Sequence, residues 1–134
     1  MVVIQGISHT LLKQIPTNNG DVWHCLKASE PSFHGFGEAY FSFITLDAEK
    51  PWRLHKEMTC NLIVNLGEIH FTLEDGRENS PTYREINTFV LSEKNYGRLT
   101  IPPGIWLKFK GVGEINSVLN LANIPHDSIE SIQR

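Results

Sequence analysis

The apolar residues of this 134-residue chain recur mostly with a period of two, and that alternation limits the fold more than any other feature. "EAYFSFITL" sets Ala39, Phe41 and Phe43 against Glu38, Tyr40 and Ser42. "EIHFTLE" puts Ile69, Phe71 and Leu73 on one face and His70, Thr72 and Glu74 on the other. "GIWLKFK" alternates Ile105, Leu107 and Phe109 with Trp106, Lys108 and Lys110. "CNLIVNL" is a short β-branched run closed by Gly67, and "EINSVLNLANI" completes the set. A period of two is the signature of strands, since successive side chains leave a strand on opposite faces. Turn signals separate the segments: Asn18-Asn19-Gly20, Asp75-Gly76, Ser80-Pro81, Pro102-Pro103-Gly104 and Gly111-Val112-Gly113. Many short strands joined by such turns predict an all-β sandwich or barrel. No amphipathic helix is expected, and Asp127 to Gln133 reads as a terminal turn.

The length fits one domain, residues 1–134, with a real core. The net charge is −3, and Lys and Arg form no cluster, so the electrostatic footprint of a nucleic-acid binder is missing. No apolar run reaches membrane-spanning length. The start "MVVIQGISHTLLK" has no signal-peptide character, so the expected location is the cytoplasm. Cys25 and Cys60 fit neither a zinc ribbon nor a disulfide framework, and both are expected as reduced thiols.

"PWRLHKEMTCNLIVNLGE", residues 51–68, carries the main candidate for chemistry. If residues 52–57 are extended, Arg53, His55 and Glu57 share a face. Facing into a barrel, that face would confine a histidine whose ordinary pKa of about 6.5 suits a general base. Facing out, it would be a solvated strand. Both readings stand on the residues alone.

Several pieces taken in order are similar to the dTDP-4-dehydrorhamnose 3,5-epimerase family of the cupin superfamily. They are Leu54-His55, Gly67-Glu68, "DGRENSPTY" from Asp75, "LSEKN" from Leu91, "LTIPPG" from Leu99, and Glu130. The resemblance implies a jelly-roll cupin barrel, a homodimer and a nucleotide sugar in the barrel mouth, with no cofactor. It implies that a histidine removes a proton beside a C4 ketone, that a lysine holds the enolate, and that a tyrosine returns a proton from the other face.

His55 matches the family base. Cys60 stands at the lysine position, Leu119 near the tyrosine, and Asn19 at a nucleotide-contacting arginine. The family aspartate that orients the histidine would fall beyond Arg134. Strand parity offers substitutes. Arg53 or Lys56 would stabilise an enolate, Tyr40 or Tyr83 would donate a proton, and Glu38 would orient His55. Trp106, after the Pro-Pro-Gly turn, would stack on a base or sugar or simply pack, and Trp52 has the same two readings. Trp23 and His24 are expected on an N-terminal strand at a dimer contact or the nucleotide end of the pocket.

Metal-binding cupins offer a contrasting pattern. Their two histidines, glutamate and final histidine correspond here to Arg53, His55, Cys60 and Leu107, which leaves at most two ligands. No metal is expected. The resemblance implies an epimerase or isomerase of a 4-keto-6-deoxyhexose nucleotide that serves surface polysaccharide or deoxysugar synthesis. The alternative is an inactive relative that binds a nucleotide sugar or glycan.

Overall fold

A computed structural model describes residues 2–127 and 129–134, and within them every regular element is a strand. The strands are β1 (Ser8–Leu11), β2 (Gln14–Ile15), β3 (Val22–Trp23), β4 (Glu38–Thr45), β5 (Glu49–His55) and β6 (Cys60–Leu66). They continue with β7 (Glu68–Asp75), β8 (Ile86–Ser92), β9 (Gly97–Ile101), β10 (Ile105–Gly111), β11 (Ile115–Ala122) and β12 (Ser131–Gln133). One five-stranded sheet has the order β1-β9-β6-β11-β4 and the other the order β12-β5-β10-β7-β8, while β2 and β3 form a separate hairpin. All pairings are antiparallel. The two sheets face each other as a cupin jelly roll, the fold the resemblance implies.

The apolar faces of β6, β7 and β9 supply most of the core. Leu62, Val64, Ile69, Phe71, Leu73, Leu91, Leu99 and Val118 pack together with at most 5 % exposure. Each such side chain contributes on the order of 2 kcal/mol by leaving water. β9 is buried along its whole length: Leu99 and Ile101 face the core, while Arg98 and Thr100 on the other face are covered and hydrogen-bonded. Its outer face is covered by the segment that follows the small hairpin. Fully buried Arg98 donates to the Cys25 carbonyl at 2.5 Å and to Glu30 at 2.7 Å, and Asn61 on β6 donates to the Ser32 carbonyl at 3.1 Å.

Tight turns fix where the strands change sheet. Gly67 lies between β6 and β7 at φ +78°, and a Cβ there would come within 2.2 Å of the Asn116 side-chain oxygen. That oxygen accepts from the Glu68 and Gly113 amides, both at 2.9 Å, so only glycine fits the corner. At the opposite end, fully buried Asp75 gathers Arg77, Ser80 and Thr82 into the turn that leads to β8. Ser80-Pro81-Thr82 therefore closes this turn and does not begin the next strand.

The structure differs from the sequence expectation in two ways that matter for function. The segment expected as a terminal turn ends in β12, which pairs with β5 through Ser131↔His55 and Gln133↔Arg53. Ser128 lies outside the described residues. β4 is turned so that its polar face looks inward. Phe41 and Phe43 are 55 % and 65 % exposed, whereas Tyr40 and Ser42 line the interior.

Candidate active site

Between the two sheets lies a cavity of about 220 Å³. Tyr40 and Ser42 of β4 form one wall, and Lys50, Arg53 and His55 of β5 form the facing one. Cys60 and Leu62 of β6, Leu107 and Phe109 of β10, and Val118 and Asn120 of β11 line the rest. Ionisable groups thus stand at one end of an otherwise apolar barrel, the usual make-up of a small-molecule site. Among the described residues, no three His, Cys, Asp or Glu side chains come together as a metal site would require.

His55 ends β5, and its ring is held from behind. Its Nδ1 is hydrogen-bonded to Oε1 of Glu130, a residue only 6 % exposed just before β12. Glu130 Oε2 accepts the backbone amides of Glu57 and Met58, each at 3.2 Å. The Glu130 carbonyl accepts from the Lys56 amide at 2.7 Å, and the His55 carbonyl accepts from Gly104 at 2.8 Å. Burial alone would raise the Glu130 pKa. The bond from His55 and the two amides outweigh it, and the carboxyl titrates below its ordinary value. A carboxylate on Nδ1 keeps that nitrogen protonated and leaves the lone pair on Nε2 for a proton in the cavity. The pair thus fixes the tautomer that a base would need.

Arg53 and Lys50 add positive charge to the same wall. Among the described residues neither has a carboxylate within ion-pair distance. Tyr40 looks in from the opposite sheet, and its hydroxyl oxygen accepts from Asn120 Nδ2 at 3.0 Å. Burial raises the Tyr40 pKa, while the Asn120 bond and the Arg53 charge draw it partly back. Burial also pushes the Cys60 thiol up to about 12, so this side chain presents a neutral S–H to the cavity, neither a cation nor a thiolate.

Of the residues singled out from the sequence, His55, Arg53, Tyr40 and Cys60 meet in the cavity. Four others do not. Glu38 accepts the His126 amide at 2.9 Å, away from the His55 ring, and Glu130 is the orienting carboxylate instead. Lys56 is exposed beyond the end of β5, and Lys50 is the lysine that lines the cavity. Trp106 is on the outer face of its sheet because Leu107 and Phe109 take the inward positions. The Arg134 guanidinium covers it at 4.8 Å and Trp52 at 4.3 Å. Leu119 faces outward beside Phe41, since the inward positions of β11 fall to Val118 and Asn120.

Tyr83 also stays out of the cavity, on the Asp75 turn with Arg84 5.2 Å over its ring. Glu57 offers only its backbone, because β5 ends at His55. Trp23 packs on Tyr96 with ring centroids 4.9 Å apart, within the same chain. Sequence reading missed the roles of Lys50 and Asn120. Lys50 sits on the Arg53 side of β5 only because the strand is irregular at Pro51, and Asn120 is one step in parity from the leucine chosen.

Comparison with known proteins agrees with this fold. No family model matches the chain. A dTDP-4-dehydrorhamnose 3,5-epimerase of Sulfolobus tokodaii superposes with a TM-score of 0.88 over 99 % of this chain and 79 % of its own, at 21 % identity, and so has the same fold. A dTDP-sugar isomerase of Desulfovibrio desulfuricans is 38 % identical, with a TM-score of 0.94 over 98 % of this chain and 85 % of its own. The chain belongs to the dTDP-4-dehydrorhamnose 3,5-epimerase-like family of cupins. A probable low-salt glycan biosynthesis epimerase of Haloferax volcanii is 33 % identical over 82 residues, 60 % of this chain. The match spans about half of that relative, 53 % of its length. This chain holds its histidine with a glutamate that immediately precedes β12, the strand paired to β5.

Proposed function

We propose that this protein is a nucleotide-sugar epimerase or isomerase that acts on a 4-keto-6-deoxyhexose linked to a nucleoside diphosphate, with His55 as the base. The observation that carries the reading is the His55–Glu130 pair, which leaves the Nε2 lone pair for a cavity whose lining also includes Lys50 and Arg53, neither with a carboxylate partner among the described residues. Such a cavity has room for a hexose ring, and the nucleotide would lie outside the barrel mouth.

The chemistry follows from the groups present. His55 Nε2 takes the proton on the carbon next to the ketone, and the electron pair of that C–H bond moves into an enolate. Glu130 stabilises the imidazolium that forms. Arg53 meets the charge that develops on the ketone oxygen, where a dry site makes it effective. Tyr40, on the facing sheet, returns a proton to the opposite face of the carbon, which inverts the centre. Return of a proton to the neighbouring carbon of an enediol would move the ketone instead, the isomerase outcome. Cys60 takes no charged part.

We infer a homodimer from the outer face of β4 and β11, where Phe41, Phe43 and Ile115 are each more than half exposed on one sheet. Two free cysteines suit a reducing cytoplasm, and we place the protein's work there, upstream of glycan assembly.

The test is deuterium exchange. The protein is incubated with dTDP-4-keto-6-deoxyglucose in heavy water, with GDP and UDP analogues alongside, and C3 and C5 are followed by NMR. Exchange that disappears in His55→Ala is expected. A wild-type protein that binds these compounds without exchanging a proton would instead be a binding protein of the same fold.

A further inference from the structure

Asn120 lies near the middle of β11, 5 % exposed, paired with Tyr40 of β4 on one side and Leu62 of β6 on the other. Its side-chain oxygen accepts the Asn61 backbone amide at 3.2 Å. A backbone N–H can only donate, so this contact settles which end of the amide is oxygen and excludes the flipped arrangement. The NH₂ end therefore faces Tyr40 Oη at 3.0 Å, Cys60 Sγ at 3.6 Å and Met58 Sδ at 3.8 Å. All three can accept, and none of these contacts lets Asn120 accept from Tyr40.

The consequence falls on the phenol hydrogen. It cannot go to Asn120, and among the described residues the Tyr40 hydroxyl has no other hydrogen-bond partner. The phenol lines the cavity, so its O–H is left for whatever fills that space. A donor on the phenol oxygen also steadies the phenolate that remains once the proton has gone.

We infer that Asn120 is a positioning residue that makes Tyr40 a one-way proton donor toward the bound sugar, and so decides whether the enolate is protonated from the Tyr40 side. The inference rests on the epimerase reading given above. In the step it governs, the Tyr40 O–H bond breaks and a C–H bond forms at the enolate carbon. The phenolate keeps the O–H electron pair under the Asn120 N–H. Solvent reprotonates Tyr40 and deprotonates the His55 imidazolium after the product leaves, so each turnover balances.

Two variants read this directly. Asn120→Asp keeps an oxygen for the Asn61 amide and turns a second oxygen toward Tyr40, which reverses the hydrogen bond and draws the phenol hydrogen out of the cavity. Asn120→Leu removes the donor altogether. With [13Cζ]tyrosine and Tyr40→Phe to assign the signal, the Tyr40 titration midpoint is expected to move up in both variants, further in Asn120→Asp. In heavy water the ratio of inverted product to deuterium exchanged is expected to fall roughly ten- to a hundredfold.

A Tyr40 midpoint that stays in place in both variants would overturn the assignment, as would an unchanged inversion ratio. If the wild-type protein exchanges no proton but the midpoint moves as stated, the epimerase reading fails while Asn120 still sets the direction of the Tyr40 hydroxyl. Asn120→Asp is isosteric and keeps the Asn61 contact, so the titration can be read even if Asn120→Leu does not fold.

Discussion

His55 Nδ1 and Glu130 Oε1 share a hydrogen bond across 75 residues of sequence, and the other Glu130 oxygen is fixed by the amides of Glu57 and Met58. This arrangement determines what Glu130→Gln must do. The two amides are donors and select the Gln oxygen, so the Gln NH₂ would face Nδ1. Nδ1 would then have to accept, and the ring proton would move to Nε2, where it blocks the base. We expect Glu130→Gln to lower kcat by about a hundredfold or more, with little change in KM. Glu130→Ala, which frees the tautomer, should lose less. Proton exchange into the substrate measures both, and Glu130→Gln at wild-type rate would show that the pair is only structural.

The pair also shows what was legible from sequence. The alternation in "EIHFTLE" and "GIWLKFK" gives β7 and β10 within a residue, whereas parity puts Arg53 and His55 on one face of β5 without saying that this face looks inward. Glu130 was visible as a family-like residue, but nothing local connects it to His55; only the β12–β5 pairing does. Leu119 and Trp106 were misplaced for one physical reason. A one-residue change of register swaps the two faces of a strand. β11 turns Val118 and Asn120 inward and β10 turns Leu107 and Phe109 inward, so Leu119 and Trp106 each lie one residue from a cavity-facing position. β4 misled differently, since its phenylalanines lie on the outside and its polar face lines the cavity.

Arg53 and Lys50 should separate binding from chemistry. Both line the cavity without a carboxylate partner among the described residues, so each has a charge available for an anionic group. Arg53 is the inward residue two before His55, and in the proposed reaction it meets the ketone oxygen. Arg53→Met is expected to lower kcat by about tenfold to a hundredfold. Lys50, further along β5, should act on ground-state binding. Lys50→Met is expected to raise KM several-fold at nearly constant kcat. Steady-state kinetics on one substrate distinguishes the two, and a KM effect alone for Arg53 would remove it from the chemical step.

The cysteines should react very differently. Cys60 is 3 % exposed, and burial holds its thiol at about 12, whereas Cys25 is partly exposed in the covering segment. A disulfide reagent needs a thiolate it can reach. At pH 8 the folded protein is expected to release about one equivalent of chromophore, from Cys25, with a second appearing only in denaturant. Cys25→Ser should abolish the native reaction and leave turnover intact. A fast native reaction in Cys25→Ser would mean that Cys60 is open and ionised, contrary to its packing against Asn120.

Asp75 contributes to the acid sensitivity of the fold. It is fully buried, and burial alone would raise its pKa. The Arg77 guanidinium at 2.9 Å and the hydroxyls of Ser80 and Thr82 at 2.6 and 2.7 Å overcome that and hold the carboxyl well below its ordinary value. A pKa lower in the folded than in the unfolded chain stabilises the fold above the unfolded value, about 3.9, and the stabilisation fades as pH falls toward the native value. Asp75→Asn should therefore cost about 3 kcal/mol at pH 7, because it strands Arg77 and removes a charged acceptor. The gap between wild type and variant should stay level down to about pH 4 and narrow below it. Urea unfolding at pH 7, 5 and 3 measures this. A gap that is the same at pH 3 as at pH 7 would mean that the Asp75 turn is held by its shape and not by its charge.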